Sequence, residues 1–197
     1  LQPISDAASM IRPANLRGLS ADSTLITTNG KRRHHASVIA FQGGGVNDGS
    51  QGADISVIPA IALKRVEVLR DGASAQYGSD AIAGVINFVL DDISEGGSLS
   101  YKMGEYTEGD GATSTIAGKI GMPLGQDGFV TTSFQIRQAD DTSRSLQRPD
   151  AAALIAKGNT AVATPAQIWG APKIDDDVTF FMNAGVTNSD GSESYMF

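Results

Sequence analysis

Arg65-Val66-Glu67-Val68-Leu69-Arg70-Asp71-Gly72-Ala73-Ser74-Ala75-Gln76-Tyr77-Gly78 carries three kinds of local structure in one short stretch. Val66 and Val68 alternate with Arg65 and Glu67, the period-two pattern of a strand. Asp71-Gly72 is a turn dipeptide that ends it, and Ala73 to Tyr77 is long enough for one helical turn before Gly78. Downstream, Gly84 precedes a second β-rich run from Val85 to Leu90, and upstream Ile55 to Leu63 reads as helical turns around Pro59. These pieces predict a small mixed α/β unit that ends near Asp92.

Further upstream, Ile4 to Ile11 predicts a short helix: Ile4, Ala8 and Ile11 share helical spacing, Ser5 and Asp6 lie near the start, and Pro13 follows. Leu16 to Leu19 and Ser23 to Thr28 are β-prone, and Asn29-Gly30 is the positive-φ pair expected at a tight turn. From Lys31 to Gly52 the pattern dissolves. Lys31, Arg32, Arg33, His34 and His35 are followed by an apolar patch from Val38 to Phe41 and then by glycine-rich sequence, which predicts a long exposed loop.

The second half changes character at Ser94-Glu95-Gly96-Gly97, a polar junction of the kind that separates domains. Leu99, Tyr101 and Met103 share one parity; so do Ile116, Ile120 and Met122, then Val130, Phe134 and Ile136, and more weakly Phe180, Met182, Ala184 and Val186. Four amphipathic strands are predicted, each near the ~9–11 residues that cross a bilayer. Their connections are Thr107 to Gly111, Pro123 to Gly128 and a long polar stretch from Asp140 to Asp177. Barrels of the outer membrane have short periplasmic turns and long external loops, so the long stretch is expected outside and the Ser94 to Gly97 junction on the periplasmic side.

Composition narrows the function. A net charge of −7 and a pI near 4.7 argue against nucleic acid, whose phosphates demand surplus Lys and Arg. With no cysteine there is neither a disulfide framework nor a thiol nucleophile. No GxSxG or HExxH motif occurs, and the two histidines are neighbours in a loop, so no enzyme activity is expected. Gly43-Gly44-Gly45 matches no phosphate-binding motif, and Asp175-Asp176-Asp177 lacks the spacing of a calcium loop and reads as a solvated rim. His34-His35 with Asp48 or Asp54 is a poor metal site, because adjacent side chains rarely converge on one ion. No metal and no cofactor are expected. Lys31, Arg32 and Arg33 suit an anionic ligand or simply a solvated loop. Tyr101 and Trp169 are candidates for an interfacial aromatic girdle.

The run from Arg65 to Gly78, continued by Ala83-Gly84-Val85-Ile86-Asn87, resembles the plug signature of TonB-dependent outer-membrane receptors. Leu16-Arg17-Gly18 and Asn29-Gly30-Lys31-Arg32 resemble the plug's arginine-glycine strand and its turn, in the right order, and Pro123-Leu124-Gly125 sits where relatives have a periplasmic turn.

The resemblance implies an α+β architecture: a plug domain over residues 1–93, its early part missing, then the first strands and loops of a β-barrel over residues 94–197. It implies structural glycines at Gly18, Gly30, Gly72, Gly78 and Gly84, and plug-to-barrel contacts at Arg17, Glu67 and Arg70, where the arginines face acidic residues of later strands. Glu67 also reads as an exposed strand residue paired with Lys64 or Arg65. The Lys31 to Gly45 loop becomes an outward apex, with Lys31, Arg32, Arg33, His34, His35 and Phe41 as candidate ligand-binding residues. The implied partners are a small ligand such as an iron chelate, cobalamin or an oligosaccharide, a TonB-type periplasmic energy-coupling protein, and the outer membrane of a Gram-negative bacterium. An exported β-rich binding or assembly module without transport is the alternative. Because an unclosed barrel leaves strand edges bare, the strands beyond Gly97 are expected to rearrange, self-associate or lose order.

Overall fold

The computed structural model describes residues 13–40, 45–70, 73–143, 145–167 and 170–197. The Ile4 to Ile11 helix, Phe41, Asp71-Gly72 and Trp169 lie outside the described residues.

Two sheets share no strand. The first contains β1 (Thr24–Thr28), β2 (Lys31–Arg32), β3 (Leu63–Leu69) and β4 (Gly84–Leu90) in the order β2-β1-β4-β3. β1 runs parallel to β4, and the other pairs are antiparallel. Flanked on both sides, β1 is buried at every position. Its Leu25 packs with Val85, Ala73 and Ala81, the last two supplied by α1 (Ala73–Tyr77) and by the 3-10 turn Ser79–Ala81. Asn29 and Gly30 have φ of 47° and 76° and join β1 to β2, as the sequence predicts.

Leu16 to Leu19 is a turn rather than a strand. Arg17 and Gly18 both have positive φ, 58° and 71°, and the Leu19 amide donates to the Leu16 carbonyl at 3.1 Å. Two consecutive left-handed residues cannot continue an extended chain. The helical turns expected from Ile55 to Leu63 reduce to one 3-10 turn, Ala60–Ala62. The Lys31 to Gly52 segment is also more tied down than a free loop. His35 pairs with Ala53, the Ala40 amide donates to Ser50 and the Gly49 amide to Ala40, both at 2.8 Å, and Ala36 and Ala40 are buried.

The second sheet is an antiparallel meander of β5 (Gly97–Gly104), β6 (Thr113–Pro123), β7 (Gly128–Ala139), β8 (Ile174–Thr187) and β9 (Glu193–Met196). One strand more is present than the sequence pattern predicts. The strands do not rearrange beyond Gly97: each pairs with its chain neighbour, and β6 with β7 stays in register from Thr113 to Pro123. Asp175–Asp177 lie within β8 rather than in a rim loop, because β7 extends opposite them. Asp177 pairs with Arg137, and Gln138 Nε2 donates to Asp176 Oδ1 at 3.1 Å. The long connection before β8 contains a helix the period-two reading passed over, α2 (Pro149–Ala156).

The two faces of this sheet differ. Leu99, Met103 and Phe180 are 74%, 75% and 69% exposed on the face that also carries Tyr101, Ile116, Ile120, Phe134 and Val178. On the opposite face Thr131, Ser133 and Asn183 are only 3%, 1% and 3% exposed. The apolar side is largely bare, and the polar side is covered around Thr131, Ser133 and Asn183. Part of that cover is the first sheet's Ala60–Ala62 turn, which packs on β6 and β7.

Candidate functional site

The site begins with a polar line across the first sheet. Register places Thr27, Asn87 and Glu67 side by side on β1, β4 and β3. Thr27 Oγ1 donates to Asn87 Oδ1 at 2.8 Å, and the Gly30 amide donates to the same oxygen at 2.9 Å. Asn87 Nδ2 donates to Glu67 Oε2 at 2.9 Å, and Arg65 Nε donates to Glu67 Oε1 at 2.7 Å. Asn87 thus spends both ends of its amide holding the hairpin turn to β3. Hydrogen bonds from Asn87 first, then from Arg65, hold the Glu67 carboxyl below the usual Glu range. Glu67 pairs with Arg65, one of the two partners its strand position allowed.

Residues 91–96 leave the first sheet and enter the second. The Asp91 amide donates to the Ala62 carbonyl at 2.8 Å. Its carboxylate forms an ion pair with Lys119 on β6, whose side chain is 20% exposed, and its carbonyl accepts from Asn183 Nδ2 on β8 at 2.9 Å. Two residues on, the Ile93 carbonyl accepts from Thr131 Oγ1 on β7 at 2.9 Å, and the Gly96 carbonyl accepts from the Gly121 amide at 2.8 Å. Asp92 faces the other way and pairs with Lys64 of β3 at 2.7 Å.

The candidate ligand residues separate. The Lys31 ammonium lies 5.7 Å from the Tyr195 ring centre on β9, at the end of the first sheet where the chain leaves it. Arg32 is ion-paired with Asp80. That bond, then one from the Ser79 hydroxyl, holds the Asp80 carboxyl below the usual Asp range, with a smaller contribution from His35. Arg33 donates from Nε to the Asp54 carbonyl at 3.3 Å and is half-buried, while His34 and His35 are exposed. Thr24, Arg32, Arg33, His35 and Asp80 line a cleft of about 10 Å³, enough for a water but not for a chelate. Among the described residues, no three His, Asp or Glu side chains converge as metal ligands.

Arg17 Nη1 donates to the Arg70 carbonyl at 3.3 Å, which brings those two together. Gly18, Gly30, Gly78 and Gly84 all have positive φ, at 71°, 76°, 91° and 142°. At Gly84 a Cβ would also collide with the Leu69 carbonyl oxygen and touch the Leu16 side chain at 3.0 Å. Asn87, Asp91, Lys119, Thr131 and Asn183 are the residues sequence reasoning did not assign. One signal was present: Lys119 is the single charge within β6 and lies on the parity opposite Ile116, Ile120 and Met122.

Residues 4–85 match the family described as the TonB-dependent Receptor Plug Domain. The chain is 29% identical over 119 residues to a probable TonB-dependent siderophore receptor, PirA, of Acinetobacter baumannii, covering 59% of this chain and 16% of that protein. It is 30% identical over 152 residues to the vitamin B12 transporter BtuB of Photobacterium profundum, covering 72% of this chain and 23% of the relative. A crystal structure of the ferric enterobactin receptor PfeA superposes with a TM-score of 0.57 at 19% identity, over 84% of this chain and 23% of the other. The chain therefore spans about a quarter or less of the length of these relatives. The match over residues 4–85 identifies the first part of the chain as a plug domain of the TonB-dependent receptor family, and the fold across both sheets is similar to that of a solved receptor.

Proposed function

We propose that the chain gates an outer-membrane transporter that takes a small ligand from outside the cell and releases it inward when an energised periplasmic protein acts on the plug. The observation that carries this reading is the pair of unlike faces on the wall sheet, with the plug's exit against the polar one. A bare apolar face with Leu99, Phe134 and Phe180 suits hydrocarbon, while a covered face bearing Thr131, Ser133 and Asn183 suits a lumen. An apolar face of this extent marks a membrane or protein interface rather than a surface left in water.

In this reading residues 1–93 are the plug and residues 94–197 the wall. The short turns at 124–127 and 188–192 are periplasmic, the connections at 105–112 and 140–173 are external, and the chain leaves the plug on the periplasmic side. The 33–52 loop lies at the opposite end of β1, where the Ala21 amide donates to Asn47 Oδ1 at 3.1 Å and the Gln51 amide to Asp22 Oδ1 at 2.7 Å. Arg33, His34 and His35 face the ligand there, Arg32 holds the start of the loop through Asp80, and Lys31 lies at the other end of β1 against Tyr195. Arg17 and Arg70 meet acidic residues of wall strands other than these five.

The test is uptake of iron-labelled enterobactin and of cyanocobalamin, probes suggested by the relatives' names, by cells carrying the protein. Uptake of one of the two that stops when the energy-coupling protein is removed, with surface binding retained, supports the proposal. Uptake that continues unchanged without the coupling protein contradicts the mechanism, and failure to take up either probe contradicts the ligand class.

A further inference from the structure

We propose that residues 91–96, together with the Ala60–Ala62 turn, form a fixed anchor positioned by Asp91, so that the plug opens around this end while the end itself stays on the wall. Its use in gating rests on the transport reading above, but the anchor is a property of the fold.

Three consecutive wall strands hold this one segment. Lys119 of β6 takes the Asp91 carboxylate, Thr131 of β7 takes the Ile93 carbonyl, and Asn183 of β8 takes the Asp91 carbonyl. Asp91 is 6% exposed and Asn183 3%, so these bonds exchange poorly with water. Gly121 makes the approach possible, because a Cβ there would collide with the Ile93 carbonyl. The adjacent acids point opposite ways, Asp91 to the wall and Asp92 to Lys64 of the plug, and that second pair is exposed and weak. The plug sheet, by contrast, bonds Thr27, Asn87, Glu67 and Arg65 to one another rather than to the wall. Moving the sheet as a unit therefore breaks none of these bonds, whereas pulling the exit segment off the wall separates the buried Asp91 carboxylate from Lys119. Low-stability elements are the ones that move, and the bonding here divides the plug into a movable sheet and a stationary foot.

The experiment is amide exchange on the membrane-embedded protein in sub-denaturing urea, with Lys119→Met and Lys119→Arg variants. The Asp91 and Gly121 amides, which donate to Ala62 and Gly96, are expected to exchange with the wall strands and about tenfold or more slowly than the amides of β1 and β4. Lys119→Met is expected to bring the Asp91 amide to the plug's rate while β7 and β8 stay protected, and Lys119→Arg to restore most of the protection. Asp91 and Gly121 exchanging with β1 in the unchanged protein overturns the anchor, as does a Lys119→Met variant that leaves the Asp91 amide unmoved. If the exchange pattern holds but uptake continues unchanged without the coupling protein, the gating reading falls and the anchor stands.

Discussion

In the wall, β6, β7 and β8 pair along nearly their whole lengths, and Ile116, Phe134 and Phe180 line up on one side. Among the described residues of the plug no strand exceeds seven residues, and β2 has only two. The wall is held by a long ladder of main-chain bonds, with side chains sorted by face. The plug has too little ladder to hold itself, and side chains close the gaps: Asn87 ties a turn to a strand, and the Asn29 side-chain carbonyl accepts from the Leu90 amide at 2.9 Å. Stability in one region is a matter of period, and in the other of individual atoms.

If that contrast is right, single substitutions at glycines and amides should damage the plug and spare the wall. Gly84→Val has the largest expected effect. A Cβ there meets the Leu69 carbonyl, φ is 142°, and a β-branched residue cannot relax into that conformation. The plug sheet should lose about 3 kcal/mol or more, read as a lower urea midpoint for plug amides with wall amides unchanged. A loss under about 1 kcal/mol would mean the close approach is not required.

Asn87→Ala comes next. It leaves the Thr27 hydroxyl and the Gly30 amide without their acceptor and removes a donor to Glu67, a cost of about 2 kcal/mol. Faster exchange at Gly30 and in β2 should accompany it, again with no effect on β6 to β8. Equal loss in both sheets would break the contrast.

The smallest effect is acid sensitivity of the 33–52 loop. Asp80 has its carboxyl held below the ordinary value of 3.8, so its pairing with Arg32 contributes fully above that value. The contribution is lost as pH falls through the depressed value. Because the pair is exposed, only a local loosening is expected, seen as faster exchange around His35 and Ala53 in acid. Asp80→Asn should remove that pH dependence without altering the rest of the plug.

The same contrast explains what the sequence could reveal. The strands from β5 to β8 are legible because Leu99, Ile116, Phe134 and Phe180 each repeat an alternation that needs no tertiary information. β9 is too short to show it, and α2 sits inside a polar stretch where Ala-rich sequence has no strand period. Asn29-Gly30 was readable because the dipeptide itself demands a turn. Arg17-Gly18 was not, because an arginine at positive φ carries no such signature. The exit segment was least legible. Asp91, Lys119, Thr131 and Asn183 come from distant parts of the chain, and only the closing of the plug onto the wall brings them together.

In the proposed transporter one face of β7 and β8 meets lipid and the other meets the plug. With no native cysteine in the chain, single cysteines can be placed along both strands of the membrane-embedded protein and quenched by a lipid-phase or a water-phase reagent. The account predicts strict alternation: lipid-phase quenching at 134, 136, 178 and 180, and none at 131, 133, 135 and 183, with 131, 133 and 183 also shielded from water. Quenching that fails to alternate, or water access at 134 and 180 equal to that at 135, would contradict it.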